Sequence, residues 1–179
     1  MLNVNEIWSA KVKERIWTKD SNPNHLYGEI TEMGAVDIID LFKPTKDDVI
    51  IDIGSGTGRL CAHLAVETDA TVIGVEMKDS RHREAVRMFG QYGLDNLKYK
   101  FGSYPMKLDK EPTIVIIHGC GFDAKNINKI WDALPDGVRV LHNTGKSKIF
   151  EELKEKKNLK INVGYMKGAG ASFIYGVKK

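Results

Sequence analysis

The chain has 179 residues, 42% of them hydrophobic and 28% charged, a balance that suits one globular domain and excludes a disordered or fibrous chain. Its formal net charge is +3, yet nine lysines against three acids fall in residues 146–179, so a basic carboxyl-terminal quarter follows a slightly acidic body. Apolar runs such as Val49–Ile51 and Ile114–Ile117 are far short of the roughly 20 residues of a membrane-spanning helix. Met1–Lys13 does not read as a signal peptide, and two cysteines, Cys61 and Cys120, make neither a disulfide framework nor a four-ligand zinc site, so an intracellular setting, cytoplasmic or nuclear, is expected.

In chain order, residues 3–17 carry Val4, Ile7, Trp8, Val12 and Ile16 near helical spacing. Residues 19–25 are a turn-rich loop. Thr31 caps a helix through Phe42 that is expected to turn Met33, Val36, Ile39 and Phe42 inward, and Lys43-Pro44 ends it. Val49–Ile53 reads as a buried strand, Gly54–Gly58 as a tight loop and Arg59–Thr68 as a helix. A strand over Thr71–Val75, a helix over Arg81–Tyr92, an alternating strand over Leu97–Phe101 and an apolar strand over Thr113–Ile117 follow. Ala124–Leu134 is helical, with Ile127, Ile130, Trp131 and Leu134 as its stripe, and Val138–His142 is a fifth strand. Ser147–Lys157 reads as a charged helix. Leu159–Met166 and Ala171–Val177 read as an antiparallel hairpin joined by a short glycine-rich stretch. Strands alternating with helices imply a parallel sheet covered on both faces. The fold expected is α/β: one Rossmann-like domain over residues 1–179, with residues 1–25 as an amino-terminal helix and loop, and a seven-stranded, mostly parallel sheet closed by the hairpin.

The chemistry concentrates in Asp52-Ile-Gly54-Ser55-Gly56-Thr-Gly58, which follows an apolar strand and opens a helix, where an open α/β sheet binds ligand. Glu76 lies 24 residues after Asp52, at the end of the next strand, placed to accept hydrogen bonds from two ribose hydroxyls. A dinucleotide fingerprint needs its third glycine one place later, where this chain has Arg59. An acid just before the loop suits a cation better than a phosphate. Together these features favour S-adenosylmethionine, whose amine and sulfonium are both positive.

At this point the sequence resembles the class I methyltransferases. Upstream, Tyr27-Gly28-Glu29 stands 25 residues before Asp52. That pairing, followed by Gly74-Val-Glu76, resembles the non-SET histone lysine methyltransferases, the disruptor-of-telomeric-silencing family, over about residues 26–145. The resemblance implies that Tyr27 and Glu29 fold across the cofactor's methionine end. It implies that Met77, Ser103 and Tyr104 lie along the nucleoside, and that an amine reaches the methyl group through a channel. Two departures stand out. No acid occupies Phe101–Tyr104, where the family contacts the adenine. After the fourth strand the run is His118-Gly-Cys-Gly-Phe122, of which Phe122 matches the family.

The expected function is therefore an S-adenosylmethionine-dependent N-methyltransferase acting on a protein lysine, with a histone or nucleosome as partner. Tyr27, Glu29, His118 and Phe122 are the candidate catalytic residues. His118 titrates near neutrality and stands where an acceptor would lose a proton. The alternatives are a nucleic-acid or cap methyltransferase using the basic carboxyl-terminal quarter, a small-molecule methyltransferase, and an inactive methyltransferase-like scaffold. No cysteine or histidine spacing suggests a metal, and Trp8 and Trp17 read as packing residues.

Overall fold

The computed structural model describes residues 2–12, 28–119, 121–145, 147–164 and 170–179. Tyr27, Trp17, Cys120, the loop over residues 19–25 and most of the hairpin joint lie outside the described residues.

Six helices and seven strands follow in the order α1 (Val4–Ser9), α2 (Glu32–Phe42), β1 (Val49–Ile53), α3 (Arg59–Glu67), β2 (Thr71–Glu76), α4 (Asp79–Phe89), β3 (Leu97–Phe101), β4 (Ile114–Ile117), α5 (Ala124–Ala133), β5 (Arg139–His142), α6 (Lys148–Glu152), β6 (Lys154–Ile161) and β7 (Ala171–Val177). A 3-10 turn over Gly90–Tyr92 extends α4. The strands form one sheet in the order β3-β2-β1-β4-β5-β7-β6. β7 runs antiparallel to both of its neighbours, and the other pairings are parallel. The order reverses between β1 and β4, so the crevice at their carboxyl ends is the topological switch point.

The middle strands are apolar on both faces because helices cover both. Ile50, Val72, Ile114, Ile116 and Leu141 meet α2 and α3 on one face. Ile51, Ile53, Val75, Val115, Ile117 and Val140 meet α5 and α6 on the other. A third cluster joins α1 to α3 and α4 through Leu2, Ile7, Ala62, Met88 and Phe89. There Trp8 donates from Nε1 to His63 Nδ1 at 2.9 Å, as expected of a packing residue.

Three expectations change. The first helix is six residues, capped by a reciprocal Asn3–Glu6 box, and Ala10 ends it with φ −59° and ψ 132°. α2 turns Gly34, Ala35, Ile38 and Phe42 inward, while Met33 and Val36 are 63% and 40% exposed. The reason lies in what α2 rests on. A side chain at Gly34 would strike the Asn162 carbonyl and Ile30, so the close face must be the small-residue face. The predicted charged helix over Ser147–Lys157 stops at Glu152, and Lys154, Lys156 and Lys157 instead fall in β6, the edge strand. Exposed lysines on an edge are the usual guard against strand addition.

Candidate functional site

The loop after β1 is built by its glycines. Gly54, Gly56 and Gly58 have φ of 87°, 57° and 82°, a region that side-chain-bearing residues rarely adopt. The turn is pinned to the end of β2, because the amides of Gly54 and Ser55 both donate to the Val75 carbonyl, at 2.8 and 3.0 Å. Gly58 ends it as the cap of α3, and its carbonyl accepts from the Tyr99 hydroxyl at 2.8 Å. A β-carbon on Gly54 would lie 3.1 Å from the Phe122 ring, so the ring closes directly over the loop.

Glu76 ends β2 and is 4% exposed. One oxygen accepts from the Gly56 amide at 2.9 Å and the other from the Lys78 amide at 2.7 Å. Its side chain thus ties the two turns that flank the crevice, and each oxygen keeps a lone pair for a further donor. Asp52 is equally buried, facing the first turn of α3, where Cys61 donates from Sγ to Oδ2 at 3.5 Å. Burial raises its carboxyl to about 7, opposed by the Cys61 hydrogen bond and reinforced by the charge of Glu76. Asp52 is consequently half protonated near neutral pH.

Glu29 approaches from the other side. Its oxygens accept from Thr57 Oγ1 at 2.9 Å and from Arg59 Nη1 at 3.2 Å. Its backbone is fixed to the end of the hairpin: the Gly164 amide donates to the Glu29 carbonyl at 2.9 Å, Ile30 bridges to Val163, and Thr31 donates to Asn162. His118 follows β4 with its ring 5.4 Å from that of Phe173. Burial holds its pKa down to about 4, against a hydrogen bond to the Gly28 main chain. His118 is therefore neutral at pH 7, and it is a weak proton acceptor, which corrects the expectation that it titrates near neutrality. Next to it the Gly119 amide donates to Asn143 Oδ1 at 2.5 Å, tying the turn after β4 to the turn after β5.

These residues line two hollows that meet at Gly54. The first is bounded by Gly28, Glu29, Asp52, Ser55, Arg59 and His118. The second, a cavity of about 160 Å³, is bounded by Val75, Met77, Gly102, Ser103, Phe122 and Asn126, among others. Tyr104 sits at the base of the second. It is buried in the α5-side core, and its hydroxyl donates to the Ala133 carbonyl at 3.3 Å. Ser103 is exposed on the rim. The structure thus brings together Glu29, Asp52, Gly54, Ser55 and His118 on one side and Met77, Ser103, Tyr104 and Phe122 on the other, with Glu76 bracing the loop between them. Among the described residues no group of acids, cysteines and histidines is arranged to hold a metal ion, and no helix is long and apolar enough to cross a membrane.

Sequence reasoning gave no role to Thr57 and Asn143, whose partners Glu29 and Gly119 are distant in sequence, or to Cys61, which meets Asp52 only through the packing of α3 on β1. Arg59 did leave a spacing signal, since it stands where a dinucleotide loop would have its third glycine.

A protein-family profile described as the precorrin methyltransferase domain matches residues 29–151. Solved structures share the fold at low identity. An RNA methyltransferase from Salinibacter ruber in complex with S-adenosyl-L-homocysteine is 16% identical, with a TM-score of 0.63 over 84% of this chain and 94% of that one. The C-terminal domain of precorrin-6Y C5,15-methyltransferase from Rhodobacter capsulatus is 18% identical, with a TM-score of 0.58 over 80% and 86%. Precorrin 8w decarboxylase from Methanobacterium thermoautotrophicum is 20% identical, with a TM-score of 0.59 over 83% and 91%. No curated protein sequence matches the chain.

Proposed function

The chain belongs to the precorrin methyltransferase domain family, within the class I methyltransferases, and on that premise we propose that it transfers the methyl group of S-adenosylmethionine to a precorrin-type tetrapyrrole. The observation that carries the cofactor reading is the charge of the crevice. Three carboxylates, Glu29, Asp52 and Glu76, surround a glycine loop whose nearby arginine, Arg59, is already engaged by Glu29. That set suits a cationic nucleoside and not a pyrophosphate.

Bound S-adenosylmethionine supplies a methyl group already activated on a sulfonium. The chain's own residues then have three tasks. Glu76 would take the ribose hydroxyls while holding the Gly56 and Lys78 amides. Asp52 would supply negative charge toward the positive end, and Phe122, over Gly54, would exclude water. His118, neutral and weakly basic, leaves the acceptor to bring its own nucleophile, as an electron-rich tetrapyrrole carbon does. Positioning at the turns after β4 and β5 supplies most of the rate.

A protein lysine amine is the second reading. What favours it is Glu29 held beside the glycine loop by Thr57 and Arg59, the residue that the resemblance to the non-SET lysine methyltransferases would put across the cofactor's methionine end. A lysine would have to enter as the neutral amine, since His118 is a poor base. The test is transfer of a radiolabelled methyl group from S-adenosylmethionine to a precorrin, a histone peptide and an RNA, after calorimetric titration with the cofactor. Label in the precorrin is the expected result. Label confined to peptide lysine or to RNA would replace the acceptor assignment, and a chain that does not bind S-adenosylmethionine would refute the reading altogether.

A further inference from the structure

We propose that Asn143 binds the methyl acceptor: its side-chain oxygen holds the turn after β4, and its side-chain nitrogen donates to one carboxylate arm of the tetrapyrrole. The proposal rests on the acceptor reading above and names a residue and a chemical group through which that acceptor is held.

Asn143 is the first residue after β5 and is half-buried. β4 and β5 run parallel with Ile117 beside His142, so the next step along both strands sets His118 beside Asn143. There the Asn143 amide donates to the Ile117 carbonyl at 3.3 Å, and the Gly119 amide donates to Asn143 Oδ1 at 2.5 Å. A backbone N–H meets the oxygen of a carboxamide and not its nitrogen, so the Gly119 bond fixes which way the side chain is turned. Nδ2 keeps two N–H groups with no hydrogen-bond partner among the described residues, and it is not sealed from solvent. The two turns are pressed together, since a β-carbon on Gly119 would lie 2.6 Å from Thr144 Cγ2. Further along the turn after β5 there is open space, since a β-carbon on Gly145 would meet nothing within 4 Å. A donor already fixed at such an edge loses little freedom when a ligand arrives.

The place of Asn143 in the sheet says what it meets. In the order β3-β2-β1-β4-β5, Glu76 at the end of β2 puts the nucleoside toward β2 and β3, which leaves the carboxyl ends of β4 and β5 to the acceptor. His118 and Phe122, on either side of Gly119, line the two hollows. A precorrin carries acetate and propionate arms besides the carbon to be methylated. Glu29, Asp52 and Glu76 make the crevice itself repellent to those arms. A cation placed here would be drawn to the same acids, as Arg59 is to Glu29 at 3.2 Å. A neutral carboxamide is not captured in that way. With its oxygen occupied it offers an arm donors alone, and a hydrogen bond to a charged acceptor is the stronger kind. The competing view is that Asn143 only ties the turn after β5 to the turn after β4.

Asn143→Asp separates the two views. It keeps an oxygen for the Gly119 amide and replaces the two donors with a second oxygen and a negative charge. Transfer of radiolabelled methyl from S-adenosylmethionine is measured on the full chain at mildly alkaline pH, against the concentration of a precorrin and of the same precorrin with its carboxylates esterified. In the parent, KM for the ester is expected to exceed that for the precorrin at least about tenfold. In Asn143→Asp, KM for the precorrin is expected to rise at least about tenfold, while KM for the ester stays within about threefold, because a neutral arm is not repelled. Affinity for S-adenosylhomocysteine and the urea midpoint are expected to stay at the parent's values. Asn143→Ala, which also loses the tie, is expected to lower kcat and the urea midpoint as well. A parent that takes the ester as readily as the precorrin, an aspartate variant with the parent's KM for the precorrin, or an equal rise for both acceptors would overturn the assignment and leave a tie between turns. The comparison in the parent decides the matter even if the aspartate variant does not fold. A parent that binds S-adenosylhomocysteine and methylates neither acceptor would instead refute the acceptor reading, a result distinct from the others.

Discussion

Glu76→Ala tests whether one side chain both builds the loop and receives the cofactor. In the ligand-free protein its two oxygens satisfy the Gly56 amide at 2.9 Å and the Lys78 amide at 2.7 Å. Stranding a buried donor costs about 1–3 kcal/mol, and the Lys78 amide regains some of this from water. Removing a buried carboxylate beside Asp52 returns some energy, because the charge of Glu76 is part of what raises Asp52. A net loss of about 2 kcal/mol of stability without ligand is expected, read as a lowered urea midpoint at unchanged slope. Cofactor affinity is expected to fall by a further 2–3 kcal/mol, about 30- to 150-fold in calorimetry, since two ribose hydroxyls lose a charged acceptor. Glu76→Gln keeps the volume and one acceptor oxygen and should lie between. An alanine variant with the parent's urea midpoint and the parent's cofactor affinity would show that Glu76 neither braces the loop nor meets the ligand.

Asp52 predicts a proton linkage. Its carboxyl titrates near 7 in the free protein, a bound cation lowers it, and cofactor affinity should therefore rise with pH up to about 7 and level off above. Calorimetry in buffers of different ionisation enthalpy should detect proton release at pH 6.5, and its absence would remove Asp52 from the cation's surroundings. His142 predicts an acid sensitivity. It is fully buried, and burial lowers its pKa to about 4 from 6.5, so the unfolded chain takes up a proton that the folded one refuses. Stability is complete above 6.5 and declines toward 4, by about 2 kcal/mol between pH 7.5 and pH 5. Paired urea titrations should show that decline reduced in His142→Leu, and an equal decline in both proteins would dismiss it as the source. Gly58→Ala should cost about 2–4 kcal/mol, because the new methyl group at φ 82° would lie 2.6 Å from the Tyr99 ring; an unchanged melting temperature would contradict this packing. Replacing Lys154, Lys156, Lys157 and Lys160 with glutamine should promote self-association through β6 in sedimentation, and a protein that stays dispersed would show that these lysines do not guard the edge.

The middle of the sheet was legible because burial on both faces leaves nothing polar to obscure the strands. Val49–Ile53 is as its apolar run suggests, and only Asp52 interrupts it, at the crevice. The glycine loop was legible for a related reason, since three glycines in five residues signal a backbone that other residues resist. α2 was misread because hydrophobicity favours Met33 and Val36, whereas the contact with Asn162 selects the smallest residues, Gly34 and Ala35. β6 was misread because an edge strand has a free side, so lysines fall on successive positions and erase the period of two. The crevice was partly legible. Glu76 announced itself by its distance from the loop. The depressed pKa of His118 did not, because it comes from burial that only the packed turn after β4 creates.

The bonds from Gly164, Val163 and Asn162 to the Glu29 segment bear on how the protein is made. A ribosome delivers the glycine loop about a hundred residues before it delivers the strand end on which Glu29 rests. During that interval β1, α3 and β2 can pair and curl the loop, but the segment that faces it has no shelf. The hollow around Arg59 takes shape only after β6 has been laid beside β7. Synthesis therefore runs from a half-formed crevice to a complete one. A nascent chain halted before Asn162 would leave the Glu29 segment without its main-chain partners and the acids of the crevice open to water.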